Sequence, residues 1–218
     1  MSLLAALAAV YAAMMLWRYG RRGILFAAPG LVRFRSNPAA PPATALQRQA
    51  GDELEALGFR RLGARSEEGP FGGLGLRSDS WVDERAGAYA DVFEEAPRPG
   101  AGARLYFLSV FPDGAVALTA NHSRKGRSDA EAEVGGLPAA GVAATWAAHR
   151  RVLDRMAPGH GAPVARADLR DREAAARTFY RVAGGREIRA RFLAYFLNTL
   201  LAALILTWAL RTLTAGPR

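Results

Sequence analysis

Acid–base chemistry near neutral pH falls first to histidine, and this 218-residue chain holds three: His122, His149 and His160. None of them stands in a His-x-x-x-His or His-Glu-x-x-His pair, so a helical zinc site is absent. His149 sits beside Trp146 in an apolar stripe, where histidine is ordinarily a neutral, hydrogen-bonded core residue. His122 follows a strand end, next to Asn121 and Ser123, a placement that active-site residues share. His160 lies between Gly159 and Gly161 and reads as incidental. The carboxylate that best complements them is Asp91, on a strand near Glu94 and Glu95. The candidate catalytic residues are therefore His122, Asp91 and His149.

Nucleophiles are scarce. The chain has no cysteine, which removes disulfides, thiolate metal sites and cysteine catalysis. No serine stands in a Gly-x-Ser-x-Gly elbow. Asp79 and Asp83 could share a strand face with Asp91 across a hairpin, the one pattern that resembles an acidic metal site. No metal and no cofactor is assigned. The loop Arg124-Lys125-Gly126-Arg127 is a surface charge run. Its Arg124, Lys125 and Arg127 are the candidates for gripping a phosphate or a headgroup.

These residues must be held by something, and half of the chain is hydrophobic, enough for a core. The net charge of +9 is distributed unevenly. Residues 1–51 carry six arginines and no acid, and residues 177–218 carry seven arginines against Glu187. Between them stand 16 basic and 19 acidic residues, so the folded middle is slightly acidic. A nucleic-acid-binding domain would carry its basic face on the folded part, so nucleic acid is not an expected partner.

The surplus arginines flank two apolar runs. Residues 192–210 form an uncharged stretch of 19 residues, about 28 Å as a helix against a hydrocarbon core of roughly 30 Å. Tyr195 and Trp208 suit the two interfaces. Residues 3–17 are shorter, and Trp17 and Tyr19 look like interfacial anchors. A signal peptide expects its basic residues before the apolar run; here they follow it, which favours an anchor or a helix lying in the interface. Arg18, Arg21 and Arg22 flank the first run on its inner side, and Arg186, Arg189 and Arg191 flank the second. That bias places the middle in the cytoplasm and both termini outside a bacterial-type inner membrane. The lipid bilayer is the expected partner, with a protein partner or a second copy engaged through the helices; Asn198 is the polar residue available for such a helix–helix contact.

The proline-rich "SNPAAPPA" at 36–43 reads as a linker. Thr44 and Gln47 form a capping box, and Leu46, Ala50, Leu54 and Leu57 make a helical stripe closed by Gly58 and Phe59. "EEGPFGGLG" and "APRPGAGA" read as loops; the first has neither the dinucleotide nor the P-loop glycine spacing. Two strands flank a turn at 84–87. "RLYFLSVFPDGAVALTAN" reads as a hairpin with the three-residue loop Pro112-Asp113-Gly114. In that register Tyr106, Leu108 and Val110 share a face with Val116 and Leu118. A helix follows over 142–156, ending before Pro158. A charged helix over 168–182 is expected to be solvated or to lean on the membrane, and to be interrupted at Gly184-Gly185.

The predicted organisation is an N-terminal anchor (1–22), a juxtamembrane segment and linker (23–43), a soluble domain (44–163), a charged juxtamembrane helix (164–190), a C-terminal transmembrane helix (191–211) and a tail (212–218). The expected fold class is α+β: an antiparallel meander of about four or five strands packed with flanking helices. The expected function is a membrane-anchored cytoplasmic module for non-catalytic binding or assembly. An enzyme acting on a membrane-associated substrate and an accessory subunit of a transport or secretion complex are the alternatives.

Overall fold

The computed structural model describes residues 3–69, 75–94 and 102–215. They form two units: an α+β unit of residues 34–67 and 75–184, and a helical unit drawn mainly from 1–33 and 185–218. Most of the two glycine- and proline-rich stretches read as loops, at 67–75 and 96–103, lies outside the described residues. Glu67 and Glu68 are strand residues.

The α+β fold holds, with a larger sheet than the sequence suggested. The strands are β1 (Arg33–Asn37), β2 (Arg60–Glu68), β3 (Gly75–Asp83), β4 (Ala88–Phe93), β5 (Leu105–Val110), β6 (Val116–Ala120), β7 (Arg127–Ser128) and β8 (Ala132–Gly136). They lie in the order β1-β2-β3-β4-β5-β6-β8-β7. The pairs β3–β4, β4–β5 and β5–β6 are antiparallel, whereas β8 runs parallel to β6. Part of the proline-rich linker is thus sheet: Ser36 and Asn37 end the edge strand β1, the position where proline-adjacent sequence is tolerated.

The central hairpin has the expected register. Val110 pairs with Val116 and Leu108 with Leu118, and Gly114 takes φ +90° at the end of the loop, a conformation that costs glycine little. Tyr106, Leu108, Val116 and Leu118 join Val82 and Tyr89 in one cluster, with Ala175 and Phe179 packed on it. Those last two come from α4 (Leu169–Phe179). The opposite face carries Trp81, Ala90, Val92, Leu105 and Phe107 against Ala50, Leu54, Phe59, Val142 and Trp146. Phe59 stands just before β2; the others come from α2 (Ala45–Ala56) and α3 (Val142–His160). The sheet is therefore covered on both sides.

Local signals explain the helices. Thr44 accepts from the Gln47 backbone and Gln47 returns the bond to the cap, as the capping box requires. The Phe59 amide bonds Leu54 and closes α2. Two expectations fail. α3 does not stop before Pro158 but continues to His160, capped at Gly161. A proline in the last turn removes one hydrogen bond, too little to unwind a helix already packed along its length. Gly184-Gly185 does not break the chain's helical course either: a five-residue π turn, Tyr180–Gly184, carries it on. A Cβ at Gly184 would stand 2.6 Å from the Phe179 ring, so glycine lets the turn tighten over that ring.

The helical unit contains α1 (Leu3–Ala27) and α5 (Gly185–Thr214), both long and apolar enough to cross a membrane. α1 exceeds the expected 15-residue run: it continues through Arg18, Arg21 and Arg22 to Ala27. The two helices run antiparallel and close. A Cβ at Gly23 would stand 3.2 Å from the Phe196 backbone, one at Gly20 3.9 Å from Thr199 Cγ2, and Phe26 stacks on Phe196 at 4.5 Å. Ala5, Ala12, Ala202 and Ala209 are buried, the small-residue pattern that lets helices approach in lipid. Only 11% of each apolar window is buried, so most of this surface faces outward, unlike a soluble core helix.

Candidate functional site

The residues with chemical potential gather under α4. Asp91, on β4, lies opposite Ser80 of β3 and shares its face with Tyr89 and Tyr106. Its carboxylate accepts hydrogen bonds from Ser80 Oγ at 2.6 Å, Arg65 Nη2 at 2.5 Å, Tyr106 Oη at 2.5 Å and Arg172 Nη2 at 2.5 Å. Arg65 also bonds Glu67 at 2.7 Å, and the Tyr180 hydroxyl donates to the other Glu67 oxygen. Two arginines and two carboxylates balance, and Asp91 and Arg172 are 0% exposed. Burial alone would raise the Asp91 carboxyl; Arg172 and Arg65 overcome it and hold the group well below the usual carboxylate range. Burial, reinforced by the Asp91 charge, pushes the Tyr106 hydroxyl well up.

Sequence reasoning reached Asp91 and missed its partners. Arg172 sits in α4, whose Arg and Asp/Glu spacing resembles any solvated helix. The expectation that this helix is solvated is overturned: Leu169, Arg172, Ala175, Ala176 and Phe179 are buried. Arg65 required a parity break in β2. Leu62 packs on the same cluster that Arg65 reaches, although they are three positions apart in the strand. Gly63 stands between them at φ +129°, with a would-be Cβ 2.5 Å from Pro38 Cα, a conformation and a close approach that favour glycine.

Asp79 and Asp83 do not join Asp91. In the observed register they alternate to the opposite face with Trp81, so the acidic metal pattern across this hairpin is not formed. Asp79 instead accepts from Arg61 Nη2 at 2.5 Å and from Trp81 Nε1 at 3.1 Å. Among the described residues no cluster of His, Asp and Glu could hold a metal ion.

His149 lies on the buried face of α3, where Nδ1 faces Thr119 Oγ1 at 3.0 Å and Nε2 faces Ser109 Oγ at 3.1 Å. Burial pushes its pKa down to about 3, so the ring is neutral at pH 7. His122 is half-buried, edge-on to Phe93 at 6.2 Å, and its Nδ1 has no hydrogen-bond partner among the described residues. Burial, then the Arg104 and Arg124 charges, push its pKa down to about 4. It does not meet the Asp91 carboxylate, whose partners are all named above.

The basic loop is partly tied down. Arg127 bonds Asp129 and the Val182 carbonyl, each at 2.5 Å; Arg124 lies over the Phe179 ring at 5.2 Å; Lys125 is exposed. The membrane-flanking Arg18, Arg21, Arg22, Arg186, Arg189 and Arg191 are exposed, and Asn198 is half-buried on α5. A cleft of about 340 Å³ opens beside β1–β3, lined among others by Arg35, Ser36, Asn37, Ser66, Arg77 and Glu94. Ala40, Pro41, Pro42, Ala43 and Ala64 also line it, so the cleft offers a ligand apolar surface beside charges of both signs.

Comparison with protein-family models, curated proteins and solved structures finds no match to this chain.

Proposed function

We propose that this chain is a membrane-anchored binding or assembly module. The observation that carries the reading is the use made of its titratable groups. Asp91 is closed off by two arginines and a tyrosine, and His149 is a neutral bridge between two core hydroxyls. These groups position elements and are not offered to a substrate. The β1–β3 cleft instead offers an open surface that mixes charged, polar and apolar side chains. Two lipid-length helices with outward apolar faces support anchoring. The arginine bias supports an α+β unit in the cytoplasm of a bacterial-type cell with both termini outside. Anchoring raises the local concentration of the module at the bilayer, where a weak contact suffices.

The test is purification of the full tagged chain from native membranes, with retained proteins and small molecules identified by mass spectrometry. A stoichiometric companion kept by an Arg170→Glu variant, outside the cleft, and lost from an Arg77→Glu variant is the expected result. A companion-free chain that turns over a substrate in a His122-dependent manner contradicts the proposal.

A further inference from the structure

We infer that the paired helices α1 and α5 hold the headgroup phosphate of one anionic phospholipid. The site is a cavity of about 510 Å³ lined by Arg18, Tyr19, Arg21, Arg22, Ala194, Tyr195 and Asn198. The inference rests on the membrane-embedded reading of these helices.

Three guanidinium groups fall within five residues, and the lining contains no carboxylate. Among the described residues the guanidiniums find only aromatic partners. Arg18 lies 5.7 Å from the Tyr19 ring, Arg21 5.4 Å from the Trp17 ring and Arg22 5.1 Å from the Tyr195 ring. Arg22 Nη1 also donates to Tyr195 Oη at 2.7 Å. These contacts hold the side chains but neutralise none of the charge. Like charges this close repel, and more strongly where water is scarce. A phosphate is the chemistry that satisfies them, because guanidinium forks match its oxygens in charge and geometry.

The depth of the site selects a lipid over a free ion. Tyr195 and Asn198 lie in the first two turns of the uncharged run that begins at Phe192, and Trp17 and Tyr19 mark the end of the apolar run 3–17 within α1. Aromatic residues at the end of an apolar span settle at headgroup level, where basic pockets between helices take lipid headgroups. Asn198 brings an amide to the cavity, suited to an ester or glycerol oxygen. The exposed faces of Leu193 and Leu197 beside it offer the acyl chains an apolar path.

The experiment is native mass spectrometry of the full chain in detergent, titrated with phosphatidic acid, phosphatidylglycerol or phosphatidylcholine. One anionic lipid should be retained per chain, roughly tenfold or more over phosphatidylcholine. The Arg18→Gln/Arg21→Gln/Arg22→Gln variant should lose that preference. The Arg186→Gln/Arg189→Gln/Arg191→Gln variant removes the same charge outside the cavity and should keep it. Equal loss in both variants would reduce the effect to a general field and overturn the site. So would the absence of an anionic preference, or displacement of the lipid by millimolar inorganic phosphate. Circular dichroism of each variant checks the helices; if the first variant unfolds, Asn198→Leu replaces it, with a weakened preference expected and an unchanged one contradicting the site. Carbonate extraction separates this from the anchoring proposal: a chain that stays in the membrane without lipid preference loses only the site, whereas one released by carbonate loses the anchor as well.

Discussion

The Asp91 carboxylate on β4 and the Arg172 guanidinium on α4, 81 residues apart in sequence, meet at 2.5 Å with neither side chain exposed to solvent. A helix that carries charge on most of its turns is held to the sheet by that pair and by the apolar residues on either side of it, Leu169, Ala175, Ala176 and Phe179. Removing one member leaves the other desolvated and uncompensated, which is the costly case for a buried ion pair.

Replacing Asp91→Asn should therefore destabilise the α+β unit by about 3–5 kcal/mol, the range for breaking a buried pair. Urea unfolding followed through Trp81 and Trp146 fluorescence measures it. The combined Arg65→Met/Asp91→Leu/Arg172→Met variant, which removes charge of both signs, should be less destabilised than Asp91→Asn alone. If Asp91→Asn leaves the midpoint unchanged, the network does not hold α4.

Acid should weaken the fold well before carboxylates titrate. His149 has its pKa depressed to about 3 by burial, against about 6.5 in an unfolded chain. The stability tied to its neutral form is complete above about pH 6.5. It declines as pH falls towards 3, because only the unfolded chain takes up the proton in that window. The slope is about 1.4 kcal/mol per pH unit for one such group. His122, held near 4 and half-buried, adds a smaller share. His149→Gln should flatten the slope between pH 6 and roughly 4, read from urea midpoints across pH; an unaltered slope contradicts the assignment. Asp91, whose pKa is lowered, loses its contribution only below the usual carboxylate range.

The antiparallel pairing of α1 and α5 within one chain is open to a chemical test. The natural chain has no cysteine, so a Gly20→Cys/Thr199→Cys variant introduces the only two thiols. The Gly20 Cβ position lies 3.9 Å from Thr199 Cγ2, within the reach of a disulfide. Mild oxidation in membranes should form an intramolecular crosslink, seen as a faster-migrating monomer. Disulfide-linked dimers in place of that band would assign the contact to two copies.

Much of the fold was legible in the residues because the determining signals are local. The Thr44 capping box, the Pro112-Asp113-Gly114 loop and the alternation of Tyr89, Asp91 and Phe93 each act over a few residues. The missing strands failed for a matching reason. β1 is an edge strand of mostly exposed residues, and β7 has two residues, so neither shows a hydrophobic alternation. β2 carries arginine, serine or glutamate at most of its positions, so its buried face shows no hydrophobic alternation in the sequence. The buried network was invisible because its members come from β2, β3, β4, β5, α4 and the π turn after it, and become partners only once the sheet register is set. Arg172 has nothing in its neighbourhood to mark it off from Arg170 or Arg177; its burial follows from the helix's rotation over Tyr89 and Tyr106.

The central claim, that two terminal helices anchor a cytoplasmic α+β unit, is tested most directly by single-thiol labelling in intact cells. Lys125→Cys places one thiol on the exposed basic loop and Thr214→Cys places one at the end of α5, both in a background free of other thiols. With a membrane-impermeant maleimide, the Thr214→Cys variant should label from outside, and the Lys125→Cys variant only after the membrane is permeabilised. Labelling of the Lys125→Cys variant in intact cells would contradict the account.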